Sequence, residues 1–134
     1  MYKKIIVGLS LDHGISQTAL EAARQLIDDN GEIVAVHVYE PPHSSVSTYL
    51  SEEDVNSGYQ VAKKNLAERI GHAKDVQQVM LRGHSGRAIT DHAKEIKADC
   101  IVVGSHKPGL QDYFLGSTAS RVVRHAPCSV HVLR

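Results

Sequence analysis

Five short runs rich in Val and Ile punctuate this 134-residue chain: "KIIVGL", "EIVAVHVY", "VQQVML", "CIVVG" and "SVHVLR". They constrain its fold more than any other feature. Four are nearly continuous rather than alternating, the pattern of strands buried on both faces of a parallel sheet. Between them lie segments of helical spacing. "SQTALEAARQLIDD" repeats Ala19, Ala22, Ala23, Leu26 and Ile27 at three and four. "VAKKNLAERIGHA" places Val61, Leu66, Arg69 and Ile70 on one stripe. "GRAITDHAKEIKAD" does the same with Ala88, Ile89, His92, Ala93 and Ile96, and "TASRVVRHA" supplies a last helix. Strands and helices alternating at this pitch are repeated βαβ units with right-handed crossovers and helices on both faces of the sheet.

The length suits one domain, residues 1–134, with a core that needs neither disulfide nor metal. Lys plus Arg equals Asp plus Glu at 15 each. A formally neutral chain without aromatics spaced for base stacking is not expected to bind nucleic acid. Cys100 and Cys128 both lie in apolar runs, as small core side chains do in a reducing compartment. No apolar run is long enough to span a bilayer and the amino terminus lacks a signal-peptide pattern, so a cytoplasmic protein without membrane insertion is expected.

Ligands on such sheets bind outside the carboxyl ends of the strands, where the strand order reverses. The loops after strands one, two and four are therefore the candidates. After "CIVV" comes "GSHKPGLQDYFLGST". Gly104 ends the strand, Gly116-Ser117-Thr118 opens a helix, and His106 and Lys107 lie between them. Glycine permits close backbone approach, a helix start offers free N–H groups, and the cations complement a polyphosphate. The same residues also read as a strand end, an N-cap at Ser117 and a Pro108-Gly109 turn. Spacing alone leaves both readings open. No Walker A pattern occurs, and no G-x-G-x-x-G follows the first strand.

"IVVGSHKPGLQDYFLGSTASRVVRHAPCSVHVLR" closely resembles the carboxy-terminal signature of the universal stress protein family. "MYKKIIVGLS", the "VHV" of strand two and "RGHSGRAI" after strand three stand where that family has its other markers. The resemblance covers essentially the whole chain. It implies a five-stranded parallel sheet of order 3-2-1-4-5 with four helices, an adenine nucleotide alpha hydrolase-like fold. It also implies a homodimer formed through the last strand, residues 128–134, with a tetramer as a further option. For one branch of the family it implies ATP, with Mg2+, held by the loops after strands one, two and four. Carried over, Gly8, Leu9 and Ser10 line the first loop, and the Val38 backbone meets adenine. Val103 and Gly104 stand at the ribose, and Gly116, Ser117 and Thr118 at the triphosphate.

Two departures bear on that site. Lys107 replaces the second loop glycine, and the Gly104-to-Gly116 separation, 116 − 104 = 12, is one residue short of the family spacing. The short loop resembles that of a sub-branch of small bacterial members that can retain nucleotide, with Pro108 and Gly109 turning differently and Lys107 adding charge. In the first loop Ser10 stands where the family has a carboxylate, and Asp12 follows two residues on.

Other constellations are weaker. Cys128 and His131 point to opposite faces of a strand, so no metal site is expected from "HAPCSVH". "GHSGR" lacks the G-x-S-x-G spacing of a serine nucleophile, and Ser85 reads better as a helix N-cap. "VGLSL" and "VMLRG" lack the acids of a phosphoacceptor receiver domain. The segment from Pro41 to Tyr59 has no period and reads as a connection, with "SEED" as the acidic first turn of a long second helix. The expected function is a nucleotide-responsive regulatory module that binds ATP and presents a surface to an unidentified protein partner. A weak Mg-dependent ATPase or phosphotransferase, and a nucleotide-free dimeric stress protein, are the alternatives.

Overall fold

Branched side chains pack well on a pleated surface covered from both sides, and the Val/Ile runs do form strands. The computed structural model describes residues 1–10, 16–41, 51–105 and 115–134. Its elements are β1 (Tyr2–Gly8), α1 (Ser16–Leu26), β2 (Ile27–Tyr39), α2 (Glu52–Ile70) and β3 (Val76–Arg82), followed by α3 (Ser85–Ile96), β4 (Cys100–Gly104), α4 (Ser117–His125) and β5 (Ser129–Leu133). All strand pairs are parallel, in the order β3-β2-β1-β4-β5. The expected 3-2-1-4-5 sheet is therefore present.

Alternate residues of the central strands serve two cores. Ile5, Val7, Ile33, Ala35, Cys100 and Val102 face α1 and α2, where Ala19, Leu20, Ala23, Leu66 and Ile70 cover them. Ile6, Val34, Val36, Ile101 and Val103 face α3 and α4, meeting Ile89, Ala93, Ala119 and Val122. Burial pushes the Cys100 thiol up to about 11, so it stays protonated and acts as a small apolar group.

Several local expectations change. The first helix stops at Leu26 rather than continuing to Asp29, and Ile27 already pairs with Tyr2, with a register shift before Lys4. Gly31 permits this tight entry, because a Cβ there would lie 2.4 Å from Ile27 Cγ1. The second helix begins well before Tyr59. Ser51 and Asp54 form a reciprocal capping box, and Glu52, Glu53 and Asp54 make the anticipated acidic first turn. Val61, expected on the packed stripe, is 59% exposed, while Leu66 and Ile70 are buried. Residues 42–50 of the preceding connection lie outside the described residues.

Asp99 locks the entry to the sheet. It accepts from the N–H groups of Lys3 at 2.9 Å and Lys4 at 3.0 Å, and its own N–H donates to the Lys4 carbonyl at 3.0 Å. Burial acts to raise its pKa, but the two backbone donors and the Lys3 charge outweigh it and hold the carboxyl below its ordinary value. A depressed carboxylate contributes stability above its unfolded pKa, near ~3.9, and that contribution disappears as pH falls through the folded value. Asp99→Asn is expected to lower stability at pH 7 and to flatten the loss of stability below about pH 4. Denaturant unfolding across that range checks it; parallel pH profiles for the two proteins would exclude this role.

Candidate functional site

The order β3-β2-β1-β4-β5 reverses its winding between β1 and β4, so their carboxyl ends form the switch point. β1 and β4 pair through Ile5–Cys100, Ile6–Ile101 and Val7–Val102. Beyond Val7 and Val102 each strand keeps only the ladder to its other neighbour. Gly8 is in register with Val36, and the Leu9 N–H donates to the Val36 carbonyl at 2.8 Å. Gly104 is in register with Leu133, and the Ser105 N–H donates to the Leu133 carbonyl at 2.6 Å. The β1–β4 ladder thus ends at the carboxyl ends of the two strands, which form the mouth of the switch point.

The amino terminus of α4 is tied to this mouth. Gly116 donates its N–H to the Ser105 carbonyl at 2.6 Å, and its own carbonyl accepts from Ser120 at 2.8 Å. The N-cap is Gly116 and not Ser117, and among the described residues no side chain caps the helix. The N–H groups of its first turn, at Ser117, Thr118 and Ala119, precede the first intrahelical acceptors. Ser117 is exposed and Thr118 half-buried. Such a terminus offers donors and partial positive charge, and its glycine N-cap adds no side chain of its own.

The remaining expected residues divide into three groups. Gly8, Leu9, Ser10, Val103 and Gly104 come together at the ends of β1 and β4. Val38 lies one strand over with its side chain buried toward α3, so its backbone is the part available to a ligand. His106, Lys107, Gly109 and Asp12 lie outside the described residues. The glycine at position 8 has a packing cause as well: a Cβ there would approach Ile89 Cδ1 at 3.1 Å and Val103 Cγ1 at 3.2 Å.

Two residues at this end of the sheet carry roles that the sequence did not indicate. Glu40, just past β2, accepts from both the N–H (2.9 Å) and the hydroxyl (2.6 Å) of Ser85 through Oε1. The N-cap of α3 is His84, without a side-chain cap bond, and Ser85 is the first helical residue. The carboxylate of a neighbouring strand thus performs the capping expected of Ser85. The second residue is His37, whose ring meets the Leu9 carbonyl. On the α2 side, Arg82 stacks 4.3 Å over the Tyr59 ring, which meets Tyr39 edge-on. These contacts fasten α2 beside the mouth.

A parallel sheet wound 3-2-1-4-5, with the start of α4 tied to the end of β4, defines an α/β domain of the adenine nucleotide alpha hydrolase-like kind. The model of the universal stress protein family matches residues 1–134, and the chain belongs to that family. It is 31% identical to universal stress protein G of Shigella flexneri, over the whole of both chains. Universal stress protein UspA from Lactobacillus plantarum superposes with a TM-score of 0.78 at 26% identity, covering 99% of this chain and 98% of the other. A universal stress protein solved in complex with cAMP shares the fold at a TM-score of 0.73 and 24% identity, covering 99% and 97%.

Proposed function

We propose that the protein binds an adenine nucleotide, ATP with Mg2+ in particular, in the crevice between β1 and β4, and acts as a nucleotide-responsive regulatory module. The carrying observation is the end of the β1–β4 ladder at Val7 and Val102, with the start of α4 held against Ser105. Phosphates at Gly116, Ser117 and Thr118 would take up the first-turn N–H groups of that helix. The nucleoside would lie along Gly8, Leu9, Ser10 and the Val38 backbone, with Val103 and Gly104 beside the ribose. The cAMP complex of a family neighbour supports an adenine nucleotide as the ligand class. Bound nucleotide would bias the conformation of the loop that begins at Ser105, and so the surface offered to a protein partner. Turnover would need a group to orient water; His106 and Asp12 lie outside the described residues.

The same reading includes a cytoplasmic homodimer. β5 is an edge strand, and Val123 on the adjacent α4 is 49% exposed. Pairing residues 128–134 with a second copy would cover both.

Calorimetric titration of nucleotide-stripped protein with Mg·ATP, AMP and cAMP tests the site. Saturable binding is expected, weakened at least ~tenfold in Gly116→Val, a loss of about 1.4 kcal/mol. Gly116 has φ −60° and ψ 158°, which valine adopts freely, so the variant adds bulk without backbone strain. No heat and no change in melting temperature with any of the three would refute the proposal. Sedimentation of the same samples reads assembly, and a monomer at micromolar concentration would refute the dimer.

A further inference from the structure

Leu9 is the first residue beyond β1, two past the end of the β1–β4 ladder, and β2 holds it at both backbone polar groups. Its N–H donates to the Val36 carbonyl at 2.8 Å, and its carbonyl lies 2.8 Å from Nδ1 of His37. A carbonyl oxygen only accepts, so Nδ1 carries a hydrogen and donates it. This holds for the neutral and the protonated ring alike. His37 is half-buried on the α1/α2 side of the sheet, on the face occupied by Ala35 and by Leu9 itself. It stands in register with Met80 of β3, so a paired strand fixes its backbone.

We infer that His37 is a positioning residue: its Nδ1–H holds the Leu9–Ser10 exit of β1 against β2 and so keeps the mouth between β1 and β4 open. The Leu9 N–H bond alone resembles one more rung of a ladder. The second bond, from a side chain, fixes the orientation of the peptide that leads into Ser10. Without it that peptide is free to rotate, and the exit can swing toward β4, where Gly104 and Ser105 line the other lip. The consequence for ligand affinity rests on the nucleotide reading above; the consequence for the Leu9 peptide does not.

Two variants separate the donor from the bulk. His37→Leu removes the donor at similar size, whereas His37→Asn places an amide N–H close to the position of Nδ1. In ligand-free protein, amide hydrogen exchange at Leu9 and Ser10 is expected to accelerate about tenfold in His37→Leu and to return near the wild-type rate in His37→Asn. Mg·ATP affinity should fall about tenfold in the leucine variant and stay within about threefold in the asparagine variant. Unchanged exchange at Leu9 in His37→Leu would overturn the inference, as would equal perturbation in both variants, which would assign the effect to the imidazole's shape. Accelerated exchange with wild-type nucleotide affinity would overturn the link to binding. If the exchange pattern holds and the wild-type protein takes up no nucleotide, the ligand reading fails while the positioning of Leu9 stands.

Discussion

Ile101→Ala is expected to lower the unfolding free energy by about 2–5 kcal/mol. Ile101 is 0% exposed on β4, in register with Ile6 of β1 and Val130 of β5. Its side chain belongs to the core that includes Val34, Val36, Ile89 and Val122. Val34 and Val36 are branched and sit on a strand held by backbone ladders, and Ile89 and Val122 sit on helices packed over the sheet, so they cannot close over the cavity that alanine would leave. The loss should appear as a fall in melting temperature of roughly 10 °C or more for a chain of this length. Ile101→Val deletes a single methylene and should cost only about 1 kcal/mol. Thermal and denaturant unfolding of the pair decide the matter. An alanine variant within about 1 kcal/mol of wild type would mean that this face of the sheet is not packed as described.

The same central strands show how much the sequence makes legible. An unbroken run such as "CIVVG" can be satisfied only by cover on both faces, and that requirement produces the doubly wound sheet. The strand order is another matter. Composition and periodicity cannot reveal it, and the 3-2-1-4-5 arrangement came from family resemblance. The loop after β4 stands out in the sequence for a similar reason, since Gly104 and Gly116-Ser117 carry a pattern that resembles the family's. The contacts around the carboxyl ends of β1, β2 and β3 are not local. Glu40 reaches Ser85 across 45 residues and His37 reaches Leu9 across 28. No window of sequence contains either pair. Local rules therefore assigned the cap of α3 to Ser85, the nearest hydroxyl, when a carboxylate from β2 performs it. The end of α1 fails differently. Leu26, Ile27 and Asp28 suit another helical turn by spacing, but pairing of Ile27 with Tyr2 draws the chain into β2. Tertiary pairing outweighs a weak local preference there.

The ends of β1 and β4 and the start of α4 can hold one ligand only if their spacing is fixed, and close packing of α4 on α3 would fix it. Gly86→Val is expected to destabilise the protein by about 2–3 kcal/mol and to displace α4. Gly86 lies in "RGHSGRAI", where the sequence suggested a family marker and gave no cause for the glycine. Structure supplies one. A Cβ at Gly86 would lie 2.8 Å from Arg121 Cβ and 2.9 Å from its Cδ. The first of these atoms is rooted on the α4 backbone and cannot rotate away. Valine is a better helix former than glycine, a gain of a few tenths of a kcal/mol, so the steric term must be the larger for the prediction to hold. Truncating Arg121 to alanine in the Gly86→Val background removes the Cδ contact and keeps the Cβ contact; it should recover part of the loss. Because α4 also carries Gly116 and Ser117, nucleotide affinity should fall with stability in Gly86→Val, whereas Ile101→Ala should retain affinity under conditions where it remains folded. Unfolding curves together with calorimetry on both variants make the comparison. A Gly86→Val protein as stable as wild type would show that α3 and α4 do not approach at this point, and the fixed spacing of the mouth would lose its cause.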